Sequence, residues 1–192
     1  MTPGTNFNHP TPGSTIKVAP ITNLEDIQRI KNDLKEQPRN LALFTLGINT
    51  NLRASDLIRI TAGQVRNLQP MGEFSIREKK TGKIRRINLN KSCIDAVQNY
   101  LAAVNLKDDD VLFNLTVPSV NRLVKHWCEW ADLKGNFGAH TLRKTFAYHQ
   151  YFTFRVPLAI LTVMFNHHSE AQTLDYICVQ PTQVIDAYAN EI

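Results

Sequence analysis

Hydrophobic residues recur at helical spacing over most of the 192-residue chain. Ile27, Ile30 and Leu34 lie three or four positions apart, which puts them on one face of a helix. Thr22 or Asn23 can cap the start of that helix. The same periodicity, interrupted by prolines and glycines, predicts further helices over residues 41–46, 55–60, 94–104, 117–133, 140–152, 157–165, 169–177 and from 181 or 182 to 190.

The period changes to two between residues 64 and 89. Residues 73–77 and 84–89 alternate apolar and polar side chains around a polar turn at 80–82, a pattern that predicts a β-hairpin. A further strand is expected over residues 65–68. The chain is therefore predicted to be a mainly helical α+β protein with a small three-stranded antiparallel sheet.

Composition excludes some classes of protein. Lys and Arg number 22 against 17 Asp and Glu, so the net charge of +5 permits a polyanionic partner. The longest apolar runs, such as 158–165, are far shorter than the roughly 20 residues of a membrane helix. Residues 1–13 lack the basic and apolar parts of an export signal. Three scattered cysteines match neither a disulfide framework nor a structural zinc site, and we expect a cytoplasmic protein.

The first 20 residues differ in composition from the rest of the chain. They carry four prolines with several Gly, Asn and Thr residues, and so cannot bury enough apolar area to offset the entropy of ordering. We expect a flexible N-terminal arm over residues 1–20 and one folded domain over residues 21–192.

Positive charge is concentrated on the predicted hairpin. Residues 77–86 hold six of the 22 basic residues and one acid. Such a run is often only a solvated hairpin, but Lys80 at the turn and the alternating Lys83 and Arg85 can also reach along one phosphate backbone. Composition alone leaves both interpretations open.

Two other segments carry candidate chemistry. His140, Arg143 and Lys144 are spaced i, i+3 and i+4, which places a potential base and fixed cations on one helix face. Downstream, a histidine-bearing turn at residues 166–168 precedes a short helix that contains Tyr176. Taken singly, each of these residues has a structural alternative, such as a half-buried core position for Tyr176.

Together these motifs resemble the catalytic domain of the tyrosine recombinases, or phage-type integrases. The resemblance spans about residues 21–190. It is carried by Leu-Arg-x-x-Asp-Leu at 52–57, Lys-Thr-Gly at 80–82, His-x-Leu-Arg at 140–143, and Asn-His-x-Ser followed by Tyr over 166–176. It implies a site-specific DNA recombinase of bacterial, phage or mobile-element origin that cuts and rejoins DNA strands.

The resemblance also implies a division of labour. Tyr176 would be the nucleophile that forms a 3′-phosphotyrosyl link. Arg53 and Arg143 would neutralise the phosphate, because a guanidinium can donate two parallel hydrogen bonds to its oxygens. His167 would add a donor and His140 would act as the base-like histidine.

The remaining implied roles lie on the hairpin and near the first arginine. Lys80 would protonate the leaving 5′-oxygen, although Lys79 and Lys83 are alternatives, and Asp56 would orient Arg53. The expected DNA-contacting residues are Lys79, Lys83, Arg85 and Lys144. Lys144 stands where many family members have His, and it could equally be a surface lysine. The His167–His168 pair leaves the register open, and the spacing to Tyr176 favours His167.

The implied chemistry retains the bond energy in the phosphotyrosine, so we expect no metal and no cofactor. The acidic run at residues 108–110 is interpreted as a solvated loop. The expected partners are double-stranded DNA and, on DNA, three further copies in a homo-tetramer, with a monomer in its absence as the alternative. No N-terminal core-binding domain is expected, so the chain would be either a short family member or a fragment. Two other functions stay open: a DNA-binding regulator or mobile-element relic that cuts poorly, and an enzyme like the type IB topoisomerases.

Overall fold

A computed structural model describes residues 18–178 and 188–189. This part of the chain is mainly helical, with one hairpin between the fourth and fifth helices. The elements are α1 Leu24–Asp33, α2 Pro38–Asn49, α3 Ala54–Leu57, α4 Ala62–Val65, β1 Glu73–Arg77, β2 Ile84–Asn88, α5 Lys91–Ala102, α6 Val117–Trp130, α7 Ala139–Tyr148, a π-helical turn His149–Thr153, α8 Leu158–Phe165 and α9 Glu170–Ile177.

Helix α2 forms the centre of the main apolar core. Leu43, Phe44 and Leu46 are fully buried, and the helix packs between α5 and α7. Gly47 permits a close approach of α7, because a Cβ atom there would lie 2.5 Å from Leu142 Cδ1. This packing fixes the helix that carries His140 and Arg143.

A second apolar cluster lies between α7, α8 and α9. Its buried members are Phe146, Ala147, Leu161, Phe165 and Ile177. Tyr176 packs against this cluster. The position of α9, and with it the position of Tyr176, therefore depends on the smaller of the two apolar clusters.

The described residues contain one sheet, which has two antiparallel strands. Glu73 pairs with Asn88 and Phe74 pairs with Ile87. The prediction of a third strand over residues 65–68 is wrong, because helix α4 begins at residue 62 and ends in this segment. Gln64 starts that helix by accepting a hydrogen bond from the Thr61 amide through its side chain, 2.9 Å away.

Most predicted helices are confirmed with shifted ends. The helix expected over 140–152 is α-helical only to Tyr148 and continues as the π-helical turn. The helix from 181 or 182 to 190 lies outside the described residues apart from 188–189. Within the described part of the chain, no helix combines the length and the apolar character that a bilayer crossing requires.

The segment before α1 runs along α7. Lys144 Nζ donates to the Val18 carbonyl at 2.9 Å, and the Ile21 amide donates to Thr145 Oγ1 at 2.9 Å. His149 Nε2 lies 2.9 Å from the Ile21 carbonyl. Residues 18–20, at the end of the expected arm, are therefore in contact with the domain, and residues 1–17 lie outside the described part.

Candidate functional site

One cleft brings together side chains that are far apart in the sequence. Its lining includes Arg53, Lys80, His140 and Tyr176, and its volume is about 610 Å³. These residues come from the start of α3, the hairpin turn, the start of α7 and α9. The fold thus gathers four of the six predicted catalytic residues along one opening, and Arg143 lies behind Tyr176.

Arg53 is held at the mouth of this cleft by its local backbone. Asn51 adopts a left-handed conformation with φ of 55°, and buried Leu52 anchors the loop in the core. Arg53 itself is the extended residue that precedes α3. Its Nη1 atom lies 3.2 Å from Glu78 Oε1, an ion pair with the hairpin.

Arg143 is almost completely buried, with 1% of its surface exposed. Its guanidinium lies over the Phe165 ring at 4.8 Å and the Tyr176 ring at 5.2 Å, and Nη2 is 3.4 Å from the Phe165 carbonyl. Its Nε and Nη1 atoms have no hydrogen-bond partner among the described residues. Burial, and then the charges of Arg53 and Arg85, lower the pKa of Arg143 to about 9. A buried guanidinium with unused donors is suited to bind an oxyanion.

His140 lies one turn before Arg143 on α7 and lines the cleft. Partial burial lowers its pKa, and the positive charges of Arg143 and Arg53 lower it further. The imidazole is therefore neutral near pH 7. A neutral imidazole in the same cleft as Tyr176 can accept a proton.

His167 is placed against Tyr176 by the α8–α9 turn. Their ring centroids are 5.2 Å apart, and His167 Nδ1 is 3.0 Å from Thr173 Oγ1. Asn166 makes the turn with a left-handed φ of 54°, a conformation that Asn tolerates at a helix end. Burial, and then Arg143, lower the pKa of His167 to about 4. His168 is exposed on the same turn.

The three hairpin lysines occupy different surroundings. Lys80 lines the cleft with Arg53, whereas Lys83 lines a separate cleft beside β2. Lys79 is exposed, and its amide donates to Asp56 Oδ1 at 2.8 Å. The geometry therefore brings Lys80 to the other candidate residues.

Two of the predicted DNA-contacting residues make polar contacts with other residues of the protein. Arg85 Nη1 lies 3.2 Å from the Asn51 carbonyl and 3.3 Å from Glu78 Oε1. Lys144 is mostly buried and donates to the Val18 carbonyl. Contact of these two residues with DNA stays a prediction, and each has a structural partner in the chain.

The acid that pairs with Arg53 is Glu78. The carboxylate of Asp56, expected to orient Arg53, instead accepts the Lys79 amide and lies 3.9 Å from Arg59. The sequence marks Glu78 only as the one acid of a basic hairpin. An alternating strand pattern extended by one residue would have pointed its side chain inward with Phe74 and Ile76.

The acidic residues of the described part of the chain do not form a metal-binding site. No three His, Cys, Asp or Glu side chains of residues 18–178 and 188–189 are grouped so that they could hold a metal ion. In the run at 108–110, Asp108 Oδ1 accepts a hydrogen bond from Arg66 Nε at 2.7 Å.

Comparison with known proteins identifies the family. The model of the phage integrase family matches residues 21–183. The chain belongs to this family. It is 31% identical over 179 residues to the probable integrase/recombinase YoeC of Bacillus subtilis (strain 168), covering 89% of this chain and 95% of that protein. It is 30% identical to the tyrosine recombinase XerC of Caldanaerobacter subterraneus subsp. tengcongensis, covering 85% of this chain and 48% of that one.

Solved structures share the fold of this integrase-family chain. The crystal structure of XerA recombinase superposes with a TM-score of 0.75 at 19% identity, covering 92% of this chain and 65% of that one. XerH bound to a palindromic difH substrate gives 0.74 at 21% identity, covering 92% and 53%. The catalytic domain of bacteriophage HP1 integrase gives 0.61 at 20% identity, covering 90% and 95%. The chain thus spans about half to two thirds of the Xer proteins and nearly all of the HP1 domain.

Proposed function

We propose that this protein is a site-specific DNA recombinase that cuts and rejoins strands through a 3′-phosphotyrosyl intermediate at Tyr176. The observation that supports it best is the buried guanidinium of Arg143, which has two unused donor nitrogens, against the Tyr176 ring. Tyr176 also shares a cleft with Arg53, Lys80 and His140. A nucleophile beside a buried anion-binding group is the arrangement that phosphoryl transfer requires.

The residues divide the work of one phosphoryl transfer. The Tyr176 oxygen attacks the scissile phosphorus while its proton passes to His140. The bond from phosphorus to the 5′-oxygen breaks, and Lys80 supplies the proton that the leaving oxygen takes up. Attack by the 5′-hydroxyl of another strand reverses these steps and releases Tyr176.

Charge on the phosphate is neutralised by fixed groups. Arg53 and Arg143 bind the non-bridging oxygens, and His167 donates a hydrogen bond to the same phosphate. Because burial and Arg143 hold the pKa of His167 at about 4, this histidine donates as a neutral imidazole until the phosphate charge arrives. The proposed reaction needs neither a metal ion nor a nucleotide cofactor.

Double-stranded DNA is the proposed substrate, and strand exchange between two duplexes requires several protomers. Four copies on DNA fit this requirement, since each of the four strands exchanged would be cut by one Tyr176. The solved structures of XerH and of lambda integrase are complexes with a difH substrate and a COC′ core site. These complexes support DNA as the ligand of this family member.

The test traps the covalent intermediate. Duplexes that carry the candidate attachment site are nicked near the cleavage position, so that the short 5′-hydroxyl fragment diffuses away and the adduct accumulates. Wild-type protein should give an adduct that survives denaturing electrophoresis, and Tyr176→Phe should give none. Tyr151→Phe is the matched control, because Tyr151 packs against the same apolar cluster, and it should retain the adduct.

Other outcomes identify the other candidate functions. Binding of the duplex by wild-type protein without an adduct would favour a DNA-binding regulator. Relaxation of supercoiled plasmids regardless of sequence would favour a topoisomerase. An adduct that persists in Tyr176→Phe would show that the nucleophile is another residue.

A further inference from the structure

Glu78 is, together with Asp56, a buried acid at the junction of the hairpin and the candidate site. Only 2% of its surface is exposed, and it does not line the cleft. Its Oε1 atom lies 3.2 Å from Arg53 Nη1 and 3.3 Å from Arg85 Nη1. Its Oε2 atom accepts a hydrogen bond from Thr81 Oγ1 at 2.7 Å. One carboxylate therefore contacts two guanidinium groups and the turn that follows Lys80.

The surroundings keep this carboxylate ionised. Burial alone would raise the pKa of Glu78, but the Thr81 hydrogen bond and the charges of Arg53 and Arg85 outweigh it and lower the pKa. Arg53, Arg85 and Arg143 together bring three positive charges to this region. Glu78 is the acid that ion-pairs with two of them within the described residues.

The contacts reach Arg53 by two routes. The direct route is the ion pair between Glu78 and Arg53. The indirect route runs through Arg85, which also donates to the carbonyl of Asn51 in the loop before Arg53. The hydrogen bond to Thr81 also connects Glu78 to the turn that carries Lys80. Loss of the charge would therefore affect the position of a phosphate-binding group and of the general acid together.

We propose that Glu78 is a positioning residue that fixes Arg53 and the Lys80 turn for attack on the phosphate, an inference that rests on the recombinase function proposed above. Glu78 does not touch the phosphate and acts through the groups that it holds. A displacement of the order of 1 Å in such a group can slow a reaction by about 100-fold.

The test compares Glu78→Gln with Glu73→Gln by single-turnover adduct formation on the nicked duplex. Gln keeps the shape of the side chain and removes its charge. Glu73 is the matched control, since it is an exposed acid on the same hairpin whose carboxylate is 3.8 Å from Arg86. Glu78→Gln should slow adduct formation by about 10- to 100-fold, and Glu73→Gln should not change the rate.

A neutral substrate separates positioning from a general loss of structure. A methylphosphonate at the scissile position has no non-bridging charge for Arg53 to neutralise. If Glu78 acts through Arg53, Glu78→Gln loses less rate on methylphosphonate than on phosphate. An equal loss on both substrates would overturn the proposal, as would an unchanged or faster rate on phosphate.

A second variant tests the proposal if Glu78→Gln folds poorly. Glu78→Asp keeps the charge and shortens the side chain by one methylene, and the same two substrates are compared. A larger loss on phosphate supports positioning, and equal losses contradict it. If wild-type protein and Glu73→Gln form no adduct, it is the proposed recombinase function that fails.

Discussion

Replacement of Arg143 by methionine should stabilise the DNA-free protein and abolish adduct formation. Arg143 is 1% exposed, and two of its nitrogen atoms lack hydrogen-bond partners among the described residues. A buried charge that is held for a ligand destabilises the free protein, since its hydration is lost before the ligand arrives. Methionine fills a similar volume with an unbranched apolar side chain.

The magnitude follows from the pKa and the contacts. A pKa lowered by burial and by Arg53 and Arg85 to about 9 means that the folded state disfavours charged Arg143 by about 5 kcal/mol. Methionine loses the cation–π contacts with Phe165 and Tyr176, about 1 kcal/mol each. It also loses the hydrogen bond to the Phe165 carbonyl, about 1 kcal/mol. The balance is about 2 kcal/mol in favour of Arg143→Met.

Urea unfolding of the DNA-free protein measures this difference directly. Arg143→Met should raise the midpoint, and the melting temperature should rise by about 4–8 °C. Arg86→Met is the control, since Arg86 is an exposed arginine whose replacement should change stability by less than about 0.5 kcal/mol. Adduct formation should fall by at least about 1000-fold in Arg143→Met. A variant that is less stable than wild type would refute the idea that the buried charge of Arg143, with two unused donors, is held at an energetic cost.

Three further predictions concern other parts of the site and core. Lys80→Ala should slow cleavage by about 100-fold or more and be rescued by a substrate with a 5′-bridging sulfur, whose thiolate leaves without a proton; an unrescued defect would contradict the general-acid role. Burial and nearby guanidinium groups lower the pKa of His140 and His167, in His167 to about 4. Between about pH 6.5 and 4 the unfolded chain therefore binds protons that the folded chain does not. The free energy of unfolding should therefore fall as the pH drops through this window, and urea titrations should show a smaller fall in His167→Gln. Gly47→Ala should destabilise the fold by about 1–3 kcal/mol in the same assay, since its Cβ would lie 2.5 Å from Leu142; an unchanged midpoint would contradict the close helix packing.

The helices and the hairpin could be predicted from the sequence wherever the local spacing of apolar residues is enough to determine the structure. The residues of α1 repeat at helical spacing behind the Asn23 cap, and the structure has a helix there. The segment at 65–68 was not predictable in this way, because its apolar residues fit a strand as well as a helix. A capping interaction between Thr61 and Gln64, ahead of the segment, starts helix α4 instead, which ends at Val65 and is followed by a turn at residues 66–67.

In the candidate site, too, local arrangements could be predicted from the sequence and long-range contacts could not. The spacing of His140 and Arg143 on one helix could be predicted from the sequence, since it is local. The partner of Arg53 could not, because Asp56 is near in sequence whereas Glu78 is near in space. Lys144 and Arg85 likewise donate to backbone carbonyls more than thirty residues away. Long-range pairing is set by the packing of helices, which no local pattern records.

The division of the apolar interior into two clusters has a consequence for the order in which the site opens. Arg53 belongs to a loop anchored in the large cluster, whereas Tyr176 packs against a cluster that has five buried members among residues 18–178. A small cluster gains less from burial, so α8 and α9 should open in local fluctuations that leave α2 and α5 intact. Amide hydrogens of α9 should then exchange with solvent ahead of those of α2. Tyr176 and His167 can thus move away from Arg53 and Arg143 and return, while the arginines stay on the loop before α3 and on α7, which packs against α2.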